Sequence, residues 1–381
     1  MLFPRRNPTL FFCPGEEGYL AYDPAADCIH RLNPVASLIA ELCDGRRSID
    51  QIEILVERAL PTARGSEVAR CIREGAAAGL FVTWRGGSQA EDPAGVSQKL
   101  REEGKIEAAY ICRYAAAERE PDNADHWSAL GELAHILGRR DQARQAYERA
   151  LELEPQDAET RHILTALRGE APPSRASNAV IEQLYERFST FYETNVLEEL
   201  DFQGPKRLAA LVEQVLPGRK ALAVLDLGCG SGLAGAELRA RCRRLVGIDL
   251  SQPMVRVAHE RGIYDLLQVA EITEWLRNCT ERFDLVIACD SLIYFGDLSQ
   301  AVKPTAALLE PGGVMALSLE KGDESPFKLA DSGRYTHHPD HVREAAAEAG
   351  LEVASLEEGF LRMEYGEEVT GLFAALRKPY P

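Results

Sequence analysis

The sequence predicts a doubly wound α/β domain with a mostly parallel sheet in its C-terminal half, behind a small β-then-α module and a short helical segment. Three observations carry that prediction. Residues 224–235, Val-Leu-Asp-Leu-Gly-Cys-Gly-Ser-Gly-Leu-Ala-Gly, read as a buried strand passing through a glycine turn into a helix that begins at Ser231. Residues 245–250 read as a second buried strand, 266–270 and 283–289 as a third and a fourth, and 308–320 as a helix end, a Pro-Gly-Gly turn and a fifth strand. At 381 residues the chain exceeds one ordinary core, and Gly/Pro/Ser-rich stretches at 86–95 and 169–177 divide it. The expected domains are 1–88, 96–170 and 178–381.

In the first segment, residues 10–13, 18–22 and 28–33 alternate apolar and polar side chains between Pro-Gly and Asp-Pro turns, which predicts three short strands. Helical patterns follow at 34–43, 48–59 and 66–79, with Asn33 and Ser48 placed as caps and Pro34 in a first turn. Gly18-Tyr-Leu-Ala-Tyr22, His30-Arg-Leu-Asn33, Ala36, Ile39, Asp44-Gly45 and Ala78-Gly79-Leu80 together resemble the PqqD-like winged helix-turn-helix, a module that recognises leader peptides of ribosomally made, modified peptides. The resemblance implies strand addition. Cys28, Ile29, His30, Arg31 and Leu32 would form the receiving edge, with a helix carrying Val68, Cys71 and Ile72 as the groove wall. The alternative is a module that only packs against the rest of the chain.

In the middle segment, Gly104, Ala109, Ala116 and Pro121 recur 34 positions later as Gly138, Ala143, Ala150 and Pro155. Trp127, Leu130-Gly131, Ala143, Tyr147, Ala150 and Pro155 resemble the tetratricopeptide template, with Ala134 where that template has an aromatic. Residues 158–167 read as a capping helix. Two repeats and a cap make a spacer or a docking surface, for instance for a partner biosynthetic enzyme.

In the C-terminal segment, Gly228-x-Gly230-x-Gly232 makes a turn that a ligand can approach closely, but Gly230 to Gly235 also spells a dinucleotide fingerprint. Asp226 separates the two readings. A carboxylate on the strand before the turn repels a pyrophosphate and suits an ammonium, such as the methionine end of S-adenosylmethionine. Asp249, 23 positions later at the tip of the second strand, stands where a ribose diol is bound, and Glu271-Ile272 follow the third strand where an adenine would lie. This succession resembles the class I S-adenosylmethionine-dependent methyltransferases. With the upstream repeats and Arg362-x-Glu-Tyr-Gly-x-x-Val-x-Gly371, residues 100–381 resemble the tetratricopeptide-fused type. The resemblance implies a Rossmann-like, seven-stranded, mostly parallel sheet. It also implies a donor pocket of Asp226, Gly228, Cys229, Gly230, Gly232, Asp249, Leu250, Met254, Glu271, Ile272 and Asp290.

Methyl transfer from a sulfonium is an in-line displacement that needs positioning and desolvation, and a base only where the acceptor must lose a proton. Candidate groups are Asp290 and Tyr294 after the fourth strand, and His337 and His338 after the fifth, the histidines serving as a base or merely capping the next helix. Tyr185 and Tyr192, in an aromatic amphipathic run before the core, are expected on the acceptor side. No base stands out, which favours a carboxylate acceptor.

The totals exclude other classes. A net charge of −17 argues against nucleic acid. No run of about 18 apolar residues is present to span a membrane, and the first residues lack the zones of a signal peptide, so a cytoplasmic protein is expected. Nine dispersed cysteines without a C-x-x-C pair read as reduced thiols and leave no expected metal site. The expected function is methylation of a peptide recruited by the first domain, such as a ribosomally made precursor. The alternatives are a small-molecule methyltransferase whose front modules mediate assembly, and a non-catalytic scaffold.

Overall fold

The computed structural model describes residues 3–60, 65–82, 92–188, 201–324, 326–364 and 367–380. They form two compact units, Met1–Gln156 and Asp157–Pro381.

The first unit opens with β1 (Arg5–Arg6) and an antiparallel sheet of β2 (Phe11–Gly15), β3 (Gly18–Asp23) and β4 (Cys28–Leu32). A Cβ on Gly18 would fall 2.1 Å from the Leu32 carbonyl oxygen, so only glycine lets this hairpin lie so close to the end of β4. Three helices follow: α1 (Pro34–Leu42), α2 (Ile49–Ala59) and α3 (Gly65–Ala77). Asn33 caps α1 by accepting from the Ala36 N–H, and Ser48 with Gln51 forms a capping box on α2. A short strand the sequence did not suggest, β5 (Phe81–Val82), pairs with β1. The helices bury one face of the sheet around Ala21, Leu32, Ile39, Ile52, Val56, Val68 and Ile72.

Helices α4 (Pro93–Glu102), α5 (Ile106–Arg119), α6 (Ala124–Ile136) and α7 (Arg140–Leu153) form the two predicted pairs. Small residues set their spacing. A side chain at Gly131 would strike the Tyr147 ring at 2.8 Å, which explains why Leu-Gly and Tyr recur together in the template. The other sheet face meets α5: the Arg119 guanidinium lies over the Phe11 ring, and Arg31 and Lys105 form ion pairs with Glu107 (2.5 Å) and Asp27 (2.6 Å). Strand module and helical pairs therefore share one packed unit.

The second unit begins earlier than the expected linker. Helix α8 (Ala158–Leu167), expected to cap the repeats, packs on α9 (Asn178–Phe188), and its His162 Nε2 meets the Gly333 carbonyl oxygen at 3.0 Å. The chain continues through α10 (Gly204–Val215), β6 (Leu222–Leu227), α11 (Leu233–Leu238), β7 (Cys242–Asp249), α12 (Gln252–Glu260), β8 (Leu266–Val269) and α13 (Ile272–Asn278). It then crosses to β9 (Phe283–Cys289), α14 (Ser299–Leu308), β10 (Leu309–Lys321), β11 (Phe327–Leu329), β12 (Tyr335–His337), α15 (Pro339–Glu348) and the long hairpin β13 (Glu352–Glu364) and β14 (Glu367–Arg377).

The sheet runs β8-β7-β6-β9-β10, all parallel, with β14 antiparallel to β10 and β13 beyond it. The three-residue strands β11 and β12 extend the end of β10 and bring the count to nine rather than the expected seven. β6 and β9 lie side by side although the chain leaves β6 in one direction and reaches β9 from the other. That reversal opens a crevice at their C-terminal ends. Apolar cores cover both faces of the sheet. Among the described residues, no helix is long and apolar enough to cross a membrane.

Candidate active site

The crevice is built first by glycines. Gly228, Gly230 and Gly232 all take left-handed φ angles of 66°, 53° and 91°. A Cβ on Gly228 would lie 2.4 Å from Ser291 Cβ, so only glycine lets the turn pass under the loop after β9. The left-handed Gly232 also delays α11 to Leu233, two residues later than the sequence suggested, and the helix is only six residues long.

Asp226 is fully buried at the end of β6. Its Oδ2 accepts from the Tyr264 hydroxyl at 2.7 Å, while Oδ1 has no hydrogen-bond partner among the described residues. Burial pushes this carboxyl up to about 7, against the Tyr264 hydroxyl and, more weakly, the Gly235 N–H, which favour its ionised form. A buried carboxylate oxygen without a partner is costly unless a cation completes it. Asp249 accepts from the Gly230 N–H (2.8 Å) and the Ser251 N–H (2.8 Å), which locks its carboxylate and leaves a lone pair on each oxygen for a diol.

Two adjoining cavities share Gly228, Gly230 and Cys289. The larger, about 590 Å³, is walled by Asp249, Leu250, Glu271, Ile272, Asp290, Tyr294, Tyr185 and Arg175. The smaller, about 310 Å³, is lined by Asp226, Cys229, Phe202 and Pro205. Glu271 caps α13 through the Thr273 and Glu274 N–H groups and pairs with Arg175. Burial alone would raise its carboxyl, but the Thr273 hydroxyl, these amides and Arg175 hold it below the usual range. Asp226, Asp249 and an apolar wall of Leu250 and Ile272 are groups that could hold the ammonium, the ribose diol and the adenine of S-adenosylmethionine. Two expected donor contacts fall outside both cavities. Met254 is buried within α12, and Gly232 faces Tyr264 and Arg261, supporting the turn from behind.

In the wall of the larger cavity, Tyr185 and Tyr294, expected on the acceptor side, meet edge to face with their hydroxyls 3.2 Å apart. Asp290 takes a left-handed φ of 53°, an uncommon conformation for a non-glycine residue. Its N–H donates to Ser318 Oγ (2.9 Å), and its Oδ2 accepts from Arg362 (3.1 Å). Its Oδ1 has no hydrogen-bond partner among the described residues. Burial raises the Asp290 carboxyl in spite of Arg362.

Behind Asp290 lies a network the sequence did not reveal. Arg362 also pairs with Glu320 and with Glu364 (3.2 Å), and Arg334 pairs with Glu320 (2.6 Å) and with Glu364. The visible signal was Glu320, a charge that directly follows the mostly apolar residues 314–319 of the fifth strand.

The histidines do not reach the crevice. His337 is fully buried with its Nδ1 3.1 Å from His341 Nδ1, and burial pushes it down to about 3, so it stays neutral and lines neither cavity. His338 caps α15 by accepting from the Asp340 N–H at 3.2 Å. Neither is placed to act as base. Tyr192 lies outside the described residues.

The expected peptide edge is in the first unit. Among the described residues β4 pairs with β3 alone, so its outer backbone edge has no strand beside it. Cys28, Ile29 and His30 are half-buried and Arg31 is exposed, but Leu32 belongs to the core. Val68 and Ile72, expected as a groove wall, are core side chains as well, and only Cys71 of that set is half-buried.

Residues 224–313 match the family model described as a methyltransferase domain, and residues 126–157 match a tetratricopeptide repeat. The chain is 26% identical over 179 residues to a ubiquinone biosynthesis O-methyltransferase of Coxiella burnetii, covering 42% of this chain and 75% of the relative. It is 30% identical over 148 residues to the protein of the same name from Xanthomonas oryzae pv. oryzae, covering 35% of this chain and 62% of the relative. Among solved structures, the N-methyltransferase NodS from Bradyrhizobium japonicum with S-adenosyl-L-homocysteine superposes with a TM-score of 0.43 at 21% identity. That match covers 52% of this chain and 98% of NodS.

Proposed function

The chain is an S-adenosylmethionine-dependent methyltransferase, and from that premise we propose that it methylates an oxygen of a peptide recruited by its N-terminal unit. The bound donor supplies an electrophilic methyl group on a sulfonium. In this reading Asp226 Oδ1 holds the donor's ammonium, Asp249 its ribose, and Leu250 with Ile272 its adenine. The single observation that carries the donor site is the buried, half-partnered Asp226 carboxylate.

Asp290 changes the weighing of acceptors. The sequence favours a carboxylate acceptor because no base stands out, yet Asp290 offers an unpartnered, raised carboxyl oxygen in the cavity wall. It also belongs to a network of three carboxylates and two guanidiniums, which disfavours an anionic acceptor. A hydroxyl therefore suits the site better. Tyr294 orients it, and Asp290 Oδ1 receives its proton.

The peptide half of the proposal rests on the open edge of β4 and on the PqqD-like pattern of three strands and three helices around it. Tethering such a peptide raises its effective concentration at a permissive catalytic pocket. The helical pairs α4–α7 would then serve as spacer or as a docking face for a partner enzyme. The second reading is a small-molecule O-methyltransferase, favoured by the names of the two relatives above.

Cleavage between residues 156 and 157 separates the readings, because the strand module and the repeats belong to one compact unit and removing residues 1–88 alone would strip α5. The 157–381 fragment should bind donor like the full chain and lose peptide methylation by about 100-fold at low peptide concentration. Undiminished transfer to the natural acceptor by that fragment contradicts the recruitment reading.

A further inference from the structure

Tyr264 belongs to none of the motifs that mark the donor site, yet three elements make room for it. A Cβ on Gly235 of α11 would lie 2.3 Å from the Tyr264 hydroxyl oxygen. One on Gly247 of β7 would lie 2.7 Å from its ring, and one on Gly232 of the turn 3.0 Å from it. The ring thus sits in a cradle of glycines behind the turn. From there its hydroxyl donates to Asp226 Oδ2 at 2.7 Å, and Arg261, three residues earlier, donates to the Ser231 carbonyl oxygen at 2.5 Å.

We propose that Tyr264 is the positioning residue that makes this glycine turn selective for a donor with a cationic amino-acid end. Its hydroxyl fixes the Asp226 carboxylate so that Oδ1 alone is left to receive an ammonium group. The proposal rests on the donor reading above and adds the residue that enforces it.

The glycines explain why the fingerprint is ambiguous in sequence. In a dinucleotide site the last glycine of G-x-G-x-x-G allows close helix–strand packing, and the turn receives a pyrophosphate. Here the corresponding Gly235 yields its space to a phenol that holds a carboxylate in place, and that carboxylate repels a pyrophosphate. The same hydroxyl bond favours the ionised form of Asp226 against the burial that would neutralise it. Without it, Asp226 would keep no side-chain partner among the described residues.

The test is titration calorimetry on the full chain and on Tyr264→Phe, which keeps the ring in its cradle and removes only the hydroxyl. The probes are S-adenosylmethionine and 5′-methylthioadenosine, which retains the adenosine and sulfur but lacks the amino-acid arm. The expected result near pH 7 is about tenfold weaker binding of S-adenosylmethionine, as for loss of a hydrogen bond to a charged group. The gap should widen as pH falls below about 7, where the hydroxyl bond keeps more of Asp226 ionised in the wild-type chain than in the variant, and 5′-methylthioadenosine should bind the two proteins equally. In the Asp226→Asn background the second substitution should cost S-adenosylmethionine nothing. Unchanged S-adenosylmethionine affinity and pH dependence in Tyr264→Phe would overturn the proposal, and so would equal weakening of both ligands. Failure of the wild-type chain to bind S-adenosylmethionine at all would instead remove the donor reading beneath it.

Discussion

Replacing Arg362 with methionine keeps most of the side chain's apolar stem and removes one of the two guanidiniums that balance Asp290, Glu320 and Glu364. Three carboxylates then face Arg334 alone. Removing one partner of a buried ion pair costs about 3–5 kcal/mol, because the remaining charge is uncompensated. Asp290 and Glu364 retain 18% and 19% of their side-chain exposure, so the lower end applies. At about 2–4 °C per kcal/mol for a unit of this size, unfolding of the C-terminal unit should come roughly 6–12 °C earlier near pH 7.

The pH dependence gives a second check. Burial alone would raise the Glu364 carboxyl, but Arg334 and Arg362 hold it below the usual range. Its stabilising contribution is therefore complete above the unfolded glutamate value of about 4.3 and is lost as pH falls through the lower folded value. In Arg362→Met the buried carboxyls rise, one takes up a proton on mild acidification, and the deficit should shrink toward about pH 5. Because Arg362 also anchors Asp290, turnover should fall more than donor affinity does. Scanning calorimetry over this range, with donor titration and a methyl-transfer rate assay beside it, reads all three effects. An unchanged Tm near pH 7, or a deficit that grows toward acid, refutes the reasoning.

Three further outcomes are expected. Because burial pushes Asp226 up to about 7, its ionised form destabilises the ligand-free fold as pH rises from the unfolded value of about 3.9 through the folded one. Asp226→Asn should match the wild-type Tm below about pH 4 and exceed it above about pH 7, as thermal melts without donor will show. Gly235→Ala drives a methyl group against the Tyr264 hydroxyl and should cost about 1–3 kcal/mol by overpacking. Urea unfolding measures that cost, and donor affinity should fall with it. His337, pushed down to about 3, stays neutral in the fold while the unfolded chain takes up a proton through about pH 6.5. Stability is therefore lost as pH falls from about 6.5 toward about 3, by up to about 1.4 kcal/mol per pH unit from this group, and His337→Asn should remove that slope without moving the pH profile of turnover.

Much of the α/β scaffold was legible because its central strands are buried on both faces and read as uninterrupted apolar runs. The fourth run, 283–289, coincides with β9, and the acids that close the first two strands stand at the crevice where the chain reverses. The strand module was legible through its turns and caps. What stayed hidden depends on residues that meet only after folding. Tyr264 lies in an unremarked Gly-Ile-Tyr-Asp stretch, and its role exists only because glycines from a turn, a helix and a strand converge on its ring. Glu320 and Arg334 lie in parts of the chain separate from Arg362-x-Glu364 on β13, and no spacing in sequence links any of them to Asp290. Adjacent histidines at 337 and 338 could not be told apart by type. One ends a strand facing the core and the other begins a helix. Val68 and Ile72 were misread for a related reason, since an amphipathic helix shows which face is apolar and not whether that face lines a groove or a core.

The central claim is that the glycine turn beside Asp226 binds the methionine end of S-adenosylmethionine and not a dinucleotide. Side-by-side calorimetric titration of the full chain and Asp226→Asn with S-adenosylmethionine and with NAD tests it most directly. The account predicts one S-adenosylmethionine per chain, at least about tenfold weaker binding in Asp226→Asn, as expected for a lost charge-assisted contact, and no binding of NAD to either protein. Binding of NAD by the wild-type chain, or equal S-adenosylmethionine affinity in the two proteins, would contradict it.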